Sequence, residues 1–336
     1  MTVIYLPISK EIFAGFAIFV GMICCLVFGL FCCRSVLAAS SVEHILQFPS
    51  NRSVGVVRLI YDPAYVDPKV TIFDARGAVR VPPGRTVFVV FNDEEQQAFK
   101  NLSQQSAIEC VGGLNFSRMD LSDKEAACLS KYRNMVHLNL NDTSITDRTA
   151  STFTAMDKLS DLSFCTTKMT AKALPFLQTR LKLKVLYAKN VDMHGADLSV
   201  FKAHPIMREL RLSRSNLTDE SLATLPSDSK IDTLAVDSNS KISDQGVKCV
   251  TRLKELKELD LSRTAISVKC IQDLQKLPKL RILRLSFAQF KAFELLKIRT
   301  LLPDCRILDD HGKEDTGTIF RPFHSPIAPQ EKPLAQ

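Results

Sequence analysis

The sequence predicts an α/β solenoid of about eight strand–turn–helix repeats of 24 residues, with an N-terminal β-rich cap and an N-terminal transmembrane helix. Three observations predict the solenoid. First, apolar residues two apart recur along the chain. Leu114, Leu138, Leu162, Leu186, Leu210, Leu234, Leu259 and Leu283 open successive pairs, with steps of 24 residues, one step of 25 across "DSNSK", and Ile307 a further 24 on. A period held over eight copies marks stacked supersecondary units. Second, a hydroxyl column runs in phase: Ser122, Thr146, Thr170, Thr218, Ser243 and Ser267, with His194 in one copy. Ser and Thr cap helices because the side-chain oxygen accepts from free N–H groups of the first turn. Asp123, Asp147, Asp219 and Asp244 follow four of the caps, where negative charge suits the helix dipole, and Ser122 with Glu125 fits a capping box. Third, apolar residues follow the caps at helical spacing, as in Val247, Val250, Leu253 and Leu256 or Ile271, Leu274, Leu277 and Leu280. Each unit therefore reads as a short strand, a polar turn and a helix of about three turns. No unit buries its apolar side alone, so the copies must stack.

The other elements follow in chain order. Residues 1–11 are an N-terminal tail. Ile12–Cys33 is 22 residues without a charge, which as a helix spans roughly 33 Å, about the thickness of a bilayer core. It exceeds the ~7–15 residues of a signal-peptide core, although "SVLAAS" offers small residues where a peptidase cuts. Apolarity on all sides argues against a buried core helix. The segment reads as an uncleaved single-pass anchor. Lys10 and the N-terminal amine on one side nearly balance Arg34 and Arg52 on the other. A large domain behind one N-terminal anchor is expected outside the cytoplasm. Residues 34–48 read as a linker and residues 49–88 as the β-rich cap. "SVGVVRLIYD", "KVTIFDA" and "GAVRVPPGRTVFVVF" alternate and are punctuated by Asp62-Pro63, Gly77 and Pro82-Pro83-Gly84. Such a cap shields the open edge of the first repeat. The repeat domain is expected over 89–310. The tail 311–336, with Pro322, Pro326, Pro329 and Pro333, is expected to be disordered.

The stretches "LNLNDTSITD" and "LDLSRTAIS" fit a pattern LxLxxTxIT, and "LLPDCRI" closes the series. In these features Leu114 to Ile307 resembles the leucine-rich repeat family, and bacterial membrane-anchored members in particular. The family's strand signature is L-x-x-L-x-L-x-x-N. Its Asn position here holds Thr143, Thr167, Ser215 and Thr264, but also Met119, Val191 and Ala288. A hydroxyl can take over part of the turn's backbone bonding; Met, Val and Ala cannot. The resemblance implies a curved solenoid that binds a protein or peptide on its concave face and performs no catalysis.

Alternation across a strand gives that face residue by residue. If Leu259 and Leu261 point inward, Glu258, Asp260 and Ser262 point outward. The same rule gives Asn115, His137, Asn139, Asp161, Lys189, Thr233 and Ile282. The candidate protein-binding set is Val185, Tyr187, Glu209, Arg211, Arg214, Asp237, Glu258, Asp260, Arg263 and Arg284. Tyr and Arg are enriched at interface hot spots.

Other chemistry is not supported. The net charge is +8, yet basic and acidic residues interleave, so no nucleic-acid arm is formed. Four of the ten cysteines lie in the anchor, and the rest form no CxxC pair, which disfavours zinc and a disulfide scaffold. There is no Gly-rich phosphate loop and no H-E-x-x-H. "DDHGKED" reads as solvated surface, His137 and His194 lack a placed nucleophile, and Cys270 reads as a buried inert thiol. Catalytic residues, cofactor, metal and small-molecule substrate are therefore not expected. Two rivals stand beside the membrane-anchored platform. A cytoplasm-facing adaptor recruiting substrates to a degradation or signalling complex would need a docking motif, and none is visible between Ser35 and Val89. A hydrolase with an unrecognised active site would need a domain that the repeats leave no room for.

Overall fold

Each leucine of the 24-residue column lies in a strand, and the strands join one 12-stranded sheet. The computed structural model describes residues 43–60, 71–178 and 182–312. The expected anchor Ile12–Cys33 and most of the tail lie outside them. Among the described residues no helix is long and apolar enough to cross a membrane. The cap supplies β1 (His44–Gln47), β2 (Gly55–Ile60), β3 (Thr71–Asp74), β4 (Ala78–Val81) and β5 (Thr86–Phe91). The array supplies β6 (Val111–Asn115), β7 (His137–Asn139), β8 (Asp161–Ser163), β9 (Val185–Tyr187) and β10 (Glu209–Arg211). It continues with β11 (Thr233–Ala235), β12 (Glu258–Asp260), β13 (Ile282–Arg284) and β14 (Arg306–Leu308). From β5 to β14 all neighbours are parallel and in sequence order. The register pairs leucine with leucine, as Leu186 with Leu210 and Leu259 with Leu283. Each leucine of this column is at most 2% exposed, so the strict period is enforced by burial on the inner side of every strand.

Two expected boundaries move. The cap begins inside the expected linker 34–48, because His44–Gln47 pairs antiparallel with β4 and Leu46 is fully buried. The division at residue 88 falls within a strand. β5 runs antiparallel to β2 and parallel to β6, so it belongs to cap and array at once. An aromatic cluster packs behind that junction. Phe99 meets Phe116 edge-on at 4.7 Å between centroids, and Phe91 stacks on Phe116 at 5.5 Å.

The convex segments are shorter than the expected three-turn helices. They include Asp219–Ala223 and Asp244–Val250 as α-helix but Asp147–Ala155 and Ala171–Gln178 as 3₁₀ helix. In Asp147–Ala155, Ser151, Thr152 and Thr154 donate their hydroxyls to carbonyls three residues back, at 3.0, 2.8 and 2.8 Å. Pro175 interrupts the other segment. The hydroxyl column caps as expected at Thr146, Thr218, Ser243 and Ser267. His194 is not a cap; in that copy Asp197 caps Leu198–Ala203 by accepting from the Ser199 N–H.

The aspartates beside the caps do more than face a dipole. Each reaches the next copy's cap. Asp123 accepts from the Thr146 N–H and hydroxyl at 2.8 and 2.6 Å, and Asp147 from those of Thr170 at 2.7 and 2.8 Å. Asp219 holds Ser243 and Asp244 holds Ser267 in the same way. These rungs fasten copy to copy on the convex side. Ala171 and Gly195 stand where the rungs to His194 and Thr218 would start.

On the other side of each turn runs a left-handed column. Arg118, Asp142, Thr166, Asn190, Arg214, Ser238 and Arg263 all have φ between 51° and 69°. This conformation aims the N–H along the sheet normal to the strand: Asp142 donates to the Cys165 carbonyl at 2.9 Å, Thr166 to Lys189 at 2.8 Å and Arg214 to Asp237 at 2.9 Å. The inter-copy bonding thus continues past the strand ends despite the strain of a non-glycine residue there. The hydroxyls at the family's Asn position act as anticipated. Thr143, Thr167 and Thr264 donate to the carbonyl three residues back at 2.7, 2.9 and 2.6 Å.

One copy carries an amide at that position. Asn239 is 1% exposed, and its Oδ1 accepts from the N–H groups of Ser215 and Leu217 at 2.8 and 3.0 Å. Its Nδ2 donates to the carbonyls of Leu212, Val236 and Asp237 at 2.9, 2.8 and 3.2 Å. It sits at the copy with the inserted residue.

Candidate concave interaction face

Strand register converts the outward residues into a grid. The first row runs Gly113, His137, Asp161, Val185, Glu209, Thr233, Glu258, Ile282. The second runs Asn115, Asn139, Ser163, Tyr187, Arg211, Ala235, Asp260, Arg284. Seven of the candidate residues therefore share one surface: Val185, Tyr187, Glu209, Arg211, Glu258, Asp260 and Arg284, all half-buried. Asp237 lies one step beyond β11 and is half-buried too. Arg214 and Arg263 are exposed in the left-handed turns rather than on the strands.

The centre of the grid is a packed polar–aromatic group. The Arg211 guanidinium lies 5.6 Å from the Tyr187 ring centroid and donates from Nε to Glu209. Burial works against the charged guanidinium, but the Glu209 carboxylate outweighs it and holds the Arg211 pKa above its ordinary value. Burial, joined by the same carboxylate, pushes the Tyr187 phenol up to about 12. Tyr187 is therefore a neutral hydrogen-bonding group at physiological pH.

Toward β13 the face turns acidic. Burial, the largest cause, raises the Glu258 pKa; Arg284, with Nη1 3.8 Å from Oε2, and Arg211 only partly offset it. That Oε2 is buried and has no hydrogen-bond partner among the described residues. Asp260 is raised by burial and then by the charge of Asp237. Asp237 accepts from the Ser213 hydroxyl, and Arg263 pairs with Asp310 at 3.0 Å. An opposite charge brought onto Glu258 and Asp260 would relieve a cost the folded chain already carries.

Toward the cap the grid continues where the expected boundary stopped it. Arg58 and Phe88 are cross-strand neighbours, and Phe88 neighbours Gly113. The Phe88 ring occupies the space of a side chain at 113, since a Cβ there would lie 2.1 Å from its Cδ2. Phe88 also meets His137 edge-on at 6.4 Å, and His137 Nδ1 lies 3.0 Å from Asp161 Oδ2. Sequence reasoning missed Arg58 and Phe88. The alternation of "VVRLI" and "TVFVVF" was the signal that could have found them. Elsewhere, Asp310 of the acidic "DDHGKED" stretch is held below the usual carboxylate range, first by its bond to Arg263. Cys270 is buried, and burial raises its thiol pKa.

No family model matches the sequence, and no curated protein matches it. Among solved structures 137 chains match. One is an internalin from Listeria monocytogenes, with 17% sequence identity, a TM-score of 0.45, and coverage of 66% of this chain and 73% of that chain.

Proposed function

We propose that this chain is a single-pass, membrane-anchored repeat protein whose concave face binds a protein or peptide outside the cytoplasm, without cofactor or catalysis. The carrying observation is the central group Tyr187–Arg211–Glu209 beside Glu258, Asp260 and Arg284. Aromatic and guanidinium surface lies next to half-buried carboxylates on one continuous sheet face. Rigid strands hold these side chains, so little ordering entropy is lost on contact. A cationic ligand group over Glu258 and Asp260 would meet carboxylates whose charge Arg284 offsets only in part. The uncharged run Ile12–Cys33 supports the anchor.

Affinity capture with the full chain tests the binding face. Tyr187→Ala with Arg211→Ala is expected to weaken a captured partner roughly 10- to 100-fold, while circular dichroism and the melting temperature stay close to wild type. Unchanged capture would remove this patch as the binding site. Orientation is checked by protease treatment of intact cells, in which the repeats should be cut. Digestion only after permeabilisation would place them in the cytoplasm and favour the adaptor.

A further inference from the structure

On the concave grid Arg211 donates to Glu209, and Arg284 lies 3.8 Å from Glu258. Arg58, at the cap end, has no such carboxylate. It is half-buried, its Nε is enclosed without a hydrogen-bond partner among the described residues, and burial alone lowers its pKa. Carboxylates at this end of the grid are engaged elsewhere: Asp74 accepts from the Ser53 hydroxyl, and Asp161 lies 3.0 Å from His137. A guanidinium taken out of water without a counter-charge costs stability, and an incoming anion would offset that cost. The cap end is thus opposite in sign to the Glu258–Asp260 end.

The surroundings of Arg58 select the anion. Register sets it opposite Ile72 on one side and Phe88 on the other, so the three side chains share one face with Cβ atoms roughly 5 Å apart. Ile72 is 57% exposed and Phe88 half-buried. In the next row Val56 and Val90 stand opposite each other, both half-buried. The Phe88 ring is laid over Gly113, so this wall is packed in place before any ligand arrives. One fork of N–H donors among four apolar side chains matches a single carboxylate, held bidentately, with apolar ligand surface beside it. A phosphate dianion calls for further cations or a nest of backbone N–H groups, and the cross-strand neighbours of Arg58 supply neither. From β2 to β9, which carries Tyr187, is five strand steps, roughly 24 Å, a span that about seven extended residues cover. On the premise that the concave face binds a protein or peptide, we infer that Arg58, between Ile72 and Phe88, docks an Asp or Glu side chain of that ligand, with a bulky apolar ligand residue seated beside it on Phe88 and Val90.

A random dodecapeptide phage library panned on the full chain in lipid nanodiscs tests this, with the enriched peptides remade synthetically and their affinities measured. Wild type should enrich peptides that carry Asp or Glu next to a bulky apolar residue. Replacing that acid by its amide should weaken binding to wild type about 10-fold or more. The same replacement should cost less than about 2-fold on Arg58→Gln, because the group it met is gone. Arg58→Lys keeps the charge without the fork and should fall between the two. Arg58→Gln should melt as wild type does, since the guanidinium has no partner in the fold. Enriched peptides without an acid, or an acid whose loss costs as much on Arg58→Gln as on wild type, would overturn the site. If those peptides still weakened with Tyr187→Ala/Arg211→Ala, the central patch would stand and Arg58 alone would fall. Peptides that need Arg58 and ignore that double variant would instead uphold Arg58 and remove the central patch. No enriched peptide would overturn both.

Discussion

Leu261→Arg is expected to abolish the cooperative fold of the C-terminal copies. Leu261 is fully buried, and its N–H donates to the Arg284 carbonyl at 3.0 Å. It lies in the second apolar column with Val236 and Leu285, both fully buried. A guanidinium there would have no counter-charge and no water, a cost above about 4 kcal/mol. Because each copy is stable only against its neighbours, the damage spreads to both sides. Urea denaturation followed by circular dichroism should show loss of much of the ordered signal before the main transition. Gln245→Arg, on the exposed convex face, is the matched control and should melt as wild type does. Normal melting of Leu261→Arg would remove Leu261 from the core and with it the register of the face.

Asn239→Ala is expected to be the most damaging truncation of a polar side chain, at roughly 2–4 kcal/mol. It strips partners from the N–H groups of Ser215 and Leu217 and from the carbonyls of Leu212 and Val236, all in a turn that excludes water. Asn239→Thr separates this bonding from simple loss of volume. A threonine hydroxyl restores one bond, to the Val236 carbonyl, as Thr143 and Thr264 do in their own copies. The expected order of denaturation midpoints is wild type, then Thr, then Ala. If Thr and Ala proved equal, the amide's role in bridging copies would be wrong.

The strands were legible because burial enforces them: one inward leucine per 24 residues leaves no freedom of register, and alternation then gives Tyr187, Arg211, Glu258 and Asp260 their side of the sheet. β1 was not, because four residues after a linker carry too little alternation to separate from coil. The convex segments were overestimated because apolar residues at helical spacing mark the buried side of a 3₁₀ turn as well as of an α-helix, as Ala150 and Phe153 do in Asp147–Ala155. The aspartate rungs were visible only as a coincidence of Asp with four of the caps; their partners lie a full repeat away, beyond local propensity. Asn239 stood at the third position after Val236, where the signature requires it, although the turn's extra residue breaks the period there. Asp237, Arg214 and Arg263 mark the limit of alternation, which holds along a strand and ends at the left-handed turn.

No aspartate rung fastens the copy containing Val185 and Tyr187, either to the copy before it or to the copy after it. Its concave side is nevertheless fully tied, with Thr166 donating to Lys189 and Asn190 to Ser213. Its convex side is tied to the following copy by the Leu198 N–H, which donates to the Thr224 hydroxyl at 2.7 Å. That joint uses a neutral donor and a neutral acceptor, so added salt, which screens charged contacts, leaves it unchanged.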